Sequence, residues 1–173
     1  MQPTDINSGL TVQRVRSVLR YNEKTGQFFW IRSDSRGRNR KRAGHLHASH
    51  GYVSIMLDGV SYLAHRLAWF YVKGIWPKDR LDHINGKQSD NRISNLREAT
   101  QQQNMANQHR LRKNNKSGVR GVSLCKETGR WRAVIVVNRK LKFIGRFDYP
   151  WEAKAAYDKA FKELFGEFAN TSI

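Results

Sequence analysis

Asp82 and His83 stand side by side, Asn95 follows after eleven intervening residues, and Asn104 after eight more. These residue types can do one chemistry together. An imidazole that titrates near neutral pH is a natural general base for water attacking a phosphodiester, provided a neighbour fixes its tautomer and ring orientation. Asn95 is the candidate for that, through its amide oxygen. Asp82 and Asn104 offer a carboxylate and an amide oxygen, too few to cage a hard cation. They suit one Mg²⁺ ion, which keeps waters and takes further ligands from substrate phosphate, with Mn²⁺ or another divalent ion as the alternative. An Asp-His pair also occurs in hairpins that catalyse nothing, and Asn-rich loops are commonly turns, so the spacing must be set on a frame.

The frame is legible. Residues 80–84 have the apolar ends of a short strand, Asn85-Gly86 is a turn signal, and residues 96–98 return as a second strand. Thr100 and Gln103 fit a capping box, so a helix starts there. Cα–Cβ bonds in a helix tilt toward its N-terminus, so Asn104 leans back toward the hairpin. Alternation along a strand points His83 away from the Asp82 face; a shared site then needs the strand to bend or DNA to lie across the hairpin edge. Arg97, on the returning strand, is a candidate phosphate contact.

Upstream, residues 10–20 have the spacing of a short amphipathic helix, and residues 21–31 read as a hairpin about Lys24-Thr25-Gly26. Residues 32–44 are Arg-rich and Gly-punctuated, a mobile or phosphate-grasping loop. Alternation over 52–57, a turn at Asp58-Gly59 and a second strand lead into a helix from about Ala64 to Gly74. His65 in that helix reads as a packed, hydrogen-bonded side chain. His45, His47 and His50 have no fourth ligand for zinc and read as surface or phosphate-contacting residues.

Lys and Arg number 32 against 14 acidic residues, a net charge of +18. Such a surplus repels itself unless a polyanion relieves it. Residues 1–110 carry 18 basic and 8 acidic side chains and residues 111–173 carry 14 and 6, so both halves are built to meet phosphate. Double-stranded DNA is the expected partner. Aromatic residues at 11% argue for a folded chain rather than a basic tail. The single Cys125 excludes an internal disulfide or a thiolate zinc knuckle. No apolar run approaches the roughly 20 residues of a membrane span, and the N-terminus lacks a signal-peptide pattern. A cytoplasmic protein with no membrane partner and no obligate protein partner, monomer or homodimer, is expected.

Past a polar, basic linker at 111–117, residues 119–124, 131–137 and 141–147 read as three strands, and Pro150 opens a helix that Gly166 ends. Trp131, Ala133, Ile135 and Val137 would meet the helix. Arg132, Val134 and Val136 face away, on a surface rimmed by Arg120, Arg130, Arg132, Lys140 and Lys142. A narrow basic sheet of this kind can enter the major groove.

Two resemblances overlie this reading. From about Tyr62 to Gln108, including AHRLAW and DHINGKQSDNRISNLREATQQQNMAN, the chain resembles the HNH endonucleases, whose compact ββα-metal module carries His, Asn and a final His or Asn in that order. The resemblance implies His83 as general base, Asn95 as its orienting partner, and Asp82 with Asn104 as the metal ligands. Through VRGV, GRWRA, IGRF and EAKAAYDKA, the C-terminal segment resembles the plant ethylene-response-factor (Apetala-two) DNA-binding domain. Arg120 matches a DNA-contacting arginine of that family, but Ser123, Val134 and Val136 occupy its other base-reading positions, so the plant recognition site does not carry over.

The expected architecture is α+β: a helix and β-hairpin region at 1–61, a ββα-metal nuclease core at 62–110, the linker, and a three-stranded antiparallel sheet packed on one helix at 118–173. The expected function is metal-dependent hydrolysis of phosphodiester bonds in double-stranded DNA, nicking one strand or cutting both. A non-catalytic DNA-binding regulator on a degenerate nuclease fold remains the alternative, and an RNA-binding protein fits the charge but not the duplex-reading sheet.

Overall fold

The computed structural model describes residues 9–31, 41–108, 111 and 113–171. The chain divides at Ala99/Thr100 into two compact units.

In the first unit, helix α1 (Val12–Val18) is capped by Thr11, whose hydroxyl accepts from Arg14 N, and runs directly into strand β1 (Leu19–Asn22). β1 pairs with β2 (Gln27–Trp30), and β2 with β3 (Arg42–Ala43), in an antiparallel sheet. The expected hairpin is therefore present, while most of the Arg-rich 32–44 stretch lies outside the described residues. A second antiparallel sheet holds β4 (His45–Leu46), β5 (Val53–Leu57) and β6 (Val60–Leu63). Helix α2 (Ala64–Lys73) follows and stops at Gly74, whose φ of 75° is the left-handed conformation that glycine adopts without strain. The hairpin of β7 (Arg80–His83) and β8 (Leu96–Ala99) closes the unit, with a single 3₁₀ turn over Ile93–Asn95. One core runs through all of it: Val15, Leu19, Phe28, Ile55 and Leu67 are its largest fully buried side chains, and Leu81 and Leu96 join them. The described residues before Tyr62 thus share their core with the hairpin that carries Asp82 and His83.

The second unit opens with helix α3 (Gln101–Ala106), where both arms of the Thr100–Gln103 capping box are formed. Strands β9 (Val122–Leu124), β10 (Trp131–Val137) and β11 (Lys140–Phe147) make an antiparallel sheet in the order β11-β10-β9, covered on one face by helix α4 (Pro150–Phe165). Ala133 and Ile135 face α4, as alternation requires. Gly121, at φ +67°, is forced by packing: a Cβ there would lie 2.2 Å from the Tyr157 ring and 2.4 Å from Val134 O. Ala106 is buried in this core, so α3 packs with the C-terminal sheet. Within the stretch expected as a linker, Asn115 Nδ2 and Ser117 Oγ donate to Val119 O at 2.8 and 3.0 Å.

Two expectations about the basic rim need correction, the side on which Lys140 and Lys142 stand and the direction of Arg120. A β-bulge lies between the Ala133–Gly145 and Val134–Phe143 pairs. It reverses the alternation of β11, so Lys140 and Lys142 pair with Val137 and Ile135 on the α4 side, while Phe143 and Leu141 join Val134 and Val136 on the outer face. Arg120 donates to Ala106 O at 2.9 Å and to Gln108 O, and lies over the Phe161 ring at 5.3 Å. It ties down the end of α3 rather than projecting toward a duplex. Arg130 is ion-paired with Asp148 at 2.9 Å. Arg132 is exposed on the outer face opposite Arg146, a cation that alternation alone also places there.

His65 on α2 is packed, but its Nδ1 has no hydrogen-bond partner among the described residues. Burial, with the neighbouring His83 and Arg66, lowers its pKa to about 3, so the ring is neutral. The unfolded chain takes up a proton near the ordinary value of 6.5 that the folded chain refuses. Stability is therefore lost as pH falls from about 6.5 toward 3, and His83, also lowered by burial, adds in the same direction. His65→Phe should remove close to one proton from the slope of unfolding free energy between pH 7 and 5, read by urea denaturation; an unchanged slope would show that His65 titrates in the folded state. A second prediction concerns Gly26, at φ +69°, where a Cβ would lie 2.4 Å from Arg92 N and 2.5 Å from Asn91 C. Gly26→Ala should cost about 3 kcal/mol or more, visible as a lowered Tm.

Candidate active site

β7 and β8 are short strands whose ladder pairs Asp82 with Arg97 and His83 with Leu96. Both chemical side chains are buried, Asp82 at 3% and His83 at 4% exposure. A buried ionised carboxylate needs a partner, and Asp82 Oδ2 accepts from Arg97 Nε at 2.9 Å. Arg97 is thus engaged by Asp82 within the hairpin instead of standing at the surface for phosphate.

A buried imidazole N–H needs an acceptor. His83 Nε2 donates to Asn91 Oδ1 at 3.1 Å, so in the neutral ring the unprotonated nitrogen is Nδ1. Burial pushes the His83 pKa down, partly offset by this hydrogen bond and by the charges of Asp82 and Asp90. The ring is a free base at neutral pH. It packs edge-on against His65 at 5.1 Å between centroids and beside Tyr52 at 6.0 Å. Burial and the Asp82 charge raise the Tyr52 pKa, which keeps its hydroxyl protonated.

Asn91 is the partner of His83 that sequence reasoning missed. It sits inside SDNRIS, one asparagine among several, and no local signal separates it from the turn-formers. Its environment does: it is 2% exposed, its carbonyl accepts from Tyr21 Oη at 2.7 Å, and the β1–β2 turn at Gly26 packs directly on the Asn91–Arg92 backbone. Burial raises the Tyr21 pKa to about 12, so that hydroxyl stays a donor.

Asn95 was expected to orient His83 with its amide oxygen. That oxygen instead accepts from Asn85 N at 3.0 Å, while Nδ2 donates to Asn85 Oδ1 at 3.0 Å and Asp90 O at 2.8 Å. Its backbone carbonyl takes the Ile84 N–H at 2.9 Å. Asn95 therefore closes the loop that leaves His83 and returns to β8. Arg92, bonded to Asp90 at 2.6 and 2.8 Å, holds that carboxyl down at about 2 and stiffens the same loop.

Asp82, His83, Asn91, Asn95 and Arg97 thus come from one hairpin and its loop. Asn104 lies on α3, in the second unit. His45, His47 and His50 form a run of ring contacts at 5.4 and 4.8 Å, and His47 Nε2 meets Ser54 Oγ at 2.7 Å. No group of three or more His, Cys, Asp or Glu among the described residues could hold a metal ion, and no helix among them is long and apolar enough to cross a membrane.

Over 99 residues the chain is 36% identical to a protein described as an uncharacterized HNH endonuclease of Acanthamoeba polyphaga mimivirus, covering 57% of this chain and 50% of that protein. The chain spans about half the length of the curated relative it matches. No solved structure matches it. Residues 62–106 match the family model of the HNH endonucleases, and this segment holds Asp82, His83, Asn91, Asn95 and Asn104. It is over these residues that the chain carries the sequence pattern of the HNH endonucleases, a family of DNA-cleaving hydrolases.

Proposed function

We propose that this chain is a metal-dependent endonuclease of double-stranded DNA whose general base is His83. The observation that carries the reading is a buried, neutral imidazole whose Nε2–H is held by Asn91. A base needs an unprotonated nitrogen in a fixed direction, and this arrangement supplies both. Nδ1 of His83 removes a proton from water as its oxygen attacks phosphorus in line with the departing 3′ oxygen. Asn91 holds the tautomer, and Asn95 acts through the loop that both residues share.

Asp82 and Asn104 carry the hard oxygens that would hold a divalent ion such as Mg²⁺, with Mn²⁺ or another divalent ion as the alternative. Bound there, the ion would offset negative charge developing on the phosphate and the leaving oxygen. Arg97, bonded to Oδ2 at 2.9 Å, directs the Asp82 carboxylate. The C-terminal sheet and helix, which resemble the Apetala-two domain, act as the duplex anchor, with Arg132 and Arg146 as its outward cations. A protein with one such site per chain nicks as a monomer and cuts both strands as a homodimer.

The Asp82–Arg97 pair favours one other reading, a DNA-binding regulator in which an arginine has taken over the metal-ligand carboxylate. Conversion of supercoiled plasmid by wild type and by His83→Ala, each with Mg²⁺, Mn²⁺ or EDTA, separates the two. Metal-dependent product from wild type alone, with binding retained by the variant, is expected; binding without product in any condition would favour the regulator. Asn91→Ala should lower kcat about 10- to 100-fold, the range for lost orientation of a catalytic group. It should also move the acid limb of the pH–rate profile lower, because the lost hydrogen bond had raised the His83 pKa. A reduced rate with an unmoved acid limb would make Asn91 merely structural. Joint replacement of Arg132 and Arg146 by alanine should reduce the slope of log affinity against log salt by about 2.

A further inference from the structure

Tyr52 packs against both buried histidines of the first unit. It directly precedes β5, and the turn that carries it is closed by backbone bonds: His47 N donates to Tyr52 O at 2.9 Å and Gly51 N to His47 O at 2.8 Å. Gly51, at φ +73°, lies against the loop that leaves His83, since a Cβ there would meet Gln88 Oε1 at 3.4 Å. The Tyr52 ring is 5.2 Å from His65 and 6.0 Å from His83 between centroids.

These contacts account for the ring but not for the hydroxyl. The side chain is half-buried, no hydrogen bond to a described residue holds its hydroxyl, and the charges of Asp82 and Arg80 reach it. A tyrosine hydroxyl commonly finds a polar partner when its ring is packed, so the partner left to this one is solvent or substrate. Burial and the Asp82 carboxylate favour the protonated form, which makes the group a donor at neutral pH. A donor held by the fold and aimed where negative charge develops stabilises a transition state.

We propose that the Tyr52 hydroxyl donates a hydrogen bond to a non-bridging oxygen of the scissile phosphate. This rests on the reading of His83 as general base given above. A water activated by His83 and a phosphate beside Asp82 put the phosphorus on the side of the hairpin that Tyr52 borders. The hydroxyl keeps its proton throughout, and its hydrogen bond strengthens as charge builds on the phosphate oxygens. Tyr52 then acts on the chemical step more than on binding.

The test uses the full chain and supercoiled plasmid with Mg²⁺, under single turnover at saturating enzyme. Tyr52→Phe keeps the ring, and its saturated rate should fall about 100-fold, the range for one lost donor. The enzyme concentration giving half that rate should change little. The nick is then mapped and its site remade as duplexes carrying either phosphorothioate diastereomer at the scissile phosphate. Sulfur is a weak acceptor, so wild type should lose rate on one diastereomer by a factor that Tyr52→Phe does not lose. Because it compares two substrates of one protein, that factor does not depend on the fraction folded. An unchanged rate in the variant would overturn the proposal. So would a slower variant whose response to both diastereomers matches wild type, since the loss would then come from packing. Absence of product from wild type, or product that His83→Ala also makes, would overturn the general-base reading and this inference with it.

Discussion

The constraint on which the site depends is the hydrogen bond between His83 Nε2 and Asn91 Oδ1. A buried N–H left without an acceptor costs about 1–3 kcal/mol, so the ring cannot be buried unless Asn91 is buried with it. Asn91 in turn needs its own peptide satisfied, and Tyr21 Oη supplies the donor from seventy residues away. The tight glycine turn of the first hairpin lies beneath the same peptide. Tyr21 and the β1–β2 turn thus support His83 through Asn91. Asn95 completes the support from the other side, where its amide spans the loop between β7 and β8.

Electrostatics in this hairpin sort its ionisable groups by role. Asp82 stays buried beside the half-buried guanidinium of Arg97, an arrangement that loses much if either partner is removed. His83 and His65 are both held neutral by burial, and two rings in edge-on contact disfavour a charge on either. The acidic residue nearest the loop surface, Asp90, is taken up by Arg92 and Asn85.

The second unit shows how one irregularity redirects a surface. Strand alternation along β11 would place Lys142 and Arg146 together on the outer face. The bulge keeps Arg146 there, turns Lys142 to the helix side, and brings Phe143 outward. The result is an apolar centre beside a cationic end, a surface different in kind from a uniformly basic sheet. Arg120 is drawn inward because the end of α3 leaves carbonyls that need donors.

Much of this protein was determined locally. The turns at Gly26 and Asn85-Gly86, the capping box at Thr100, the left-handed stop at Gly74 and the apolar face of α4 are short-range patterns, so strands and helices could be placed from the sequence by itself. The Asp82, His83, Asn95, Asn104 spacing marked the candidate site for the same reason, since its members lie on adjacent short elements. What only the tertiary structure decided are the partnerships: Asn91 for His83, Tyr21 for Asn91, Arg97 for Asp82, and the face on which each β11 side chain stands. Burial determines which polar atoms must find partners, and burial depends on contacts between residues far apart in the chain. A bulge depends on what the sheet packs against, so no periodicity in β11 announces it.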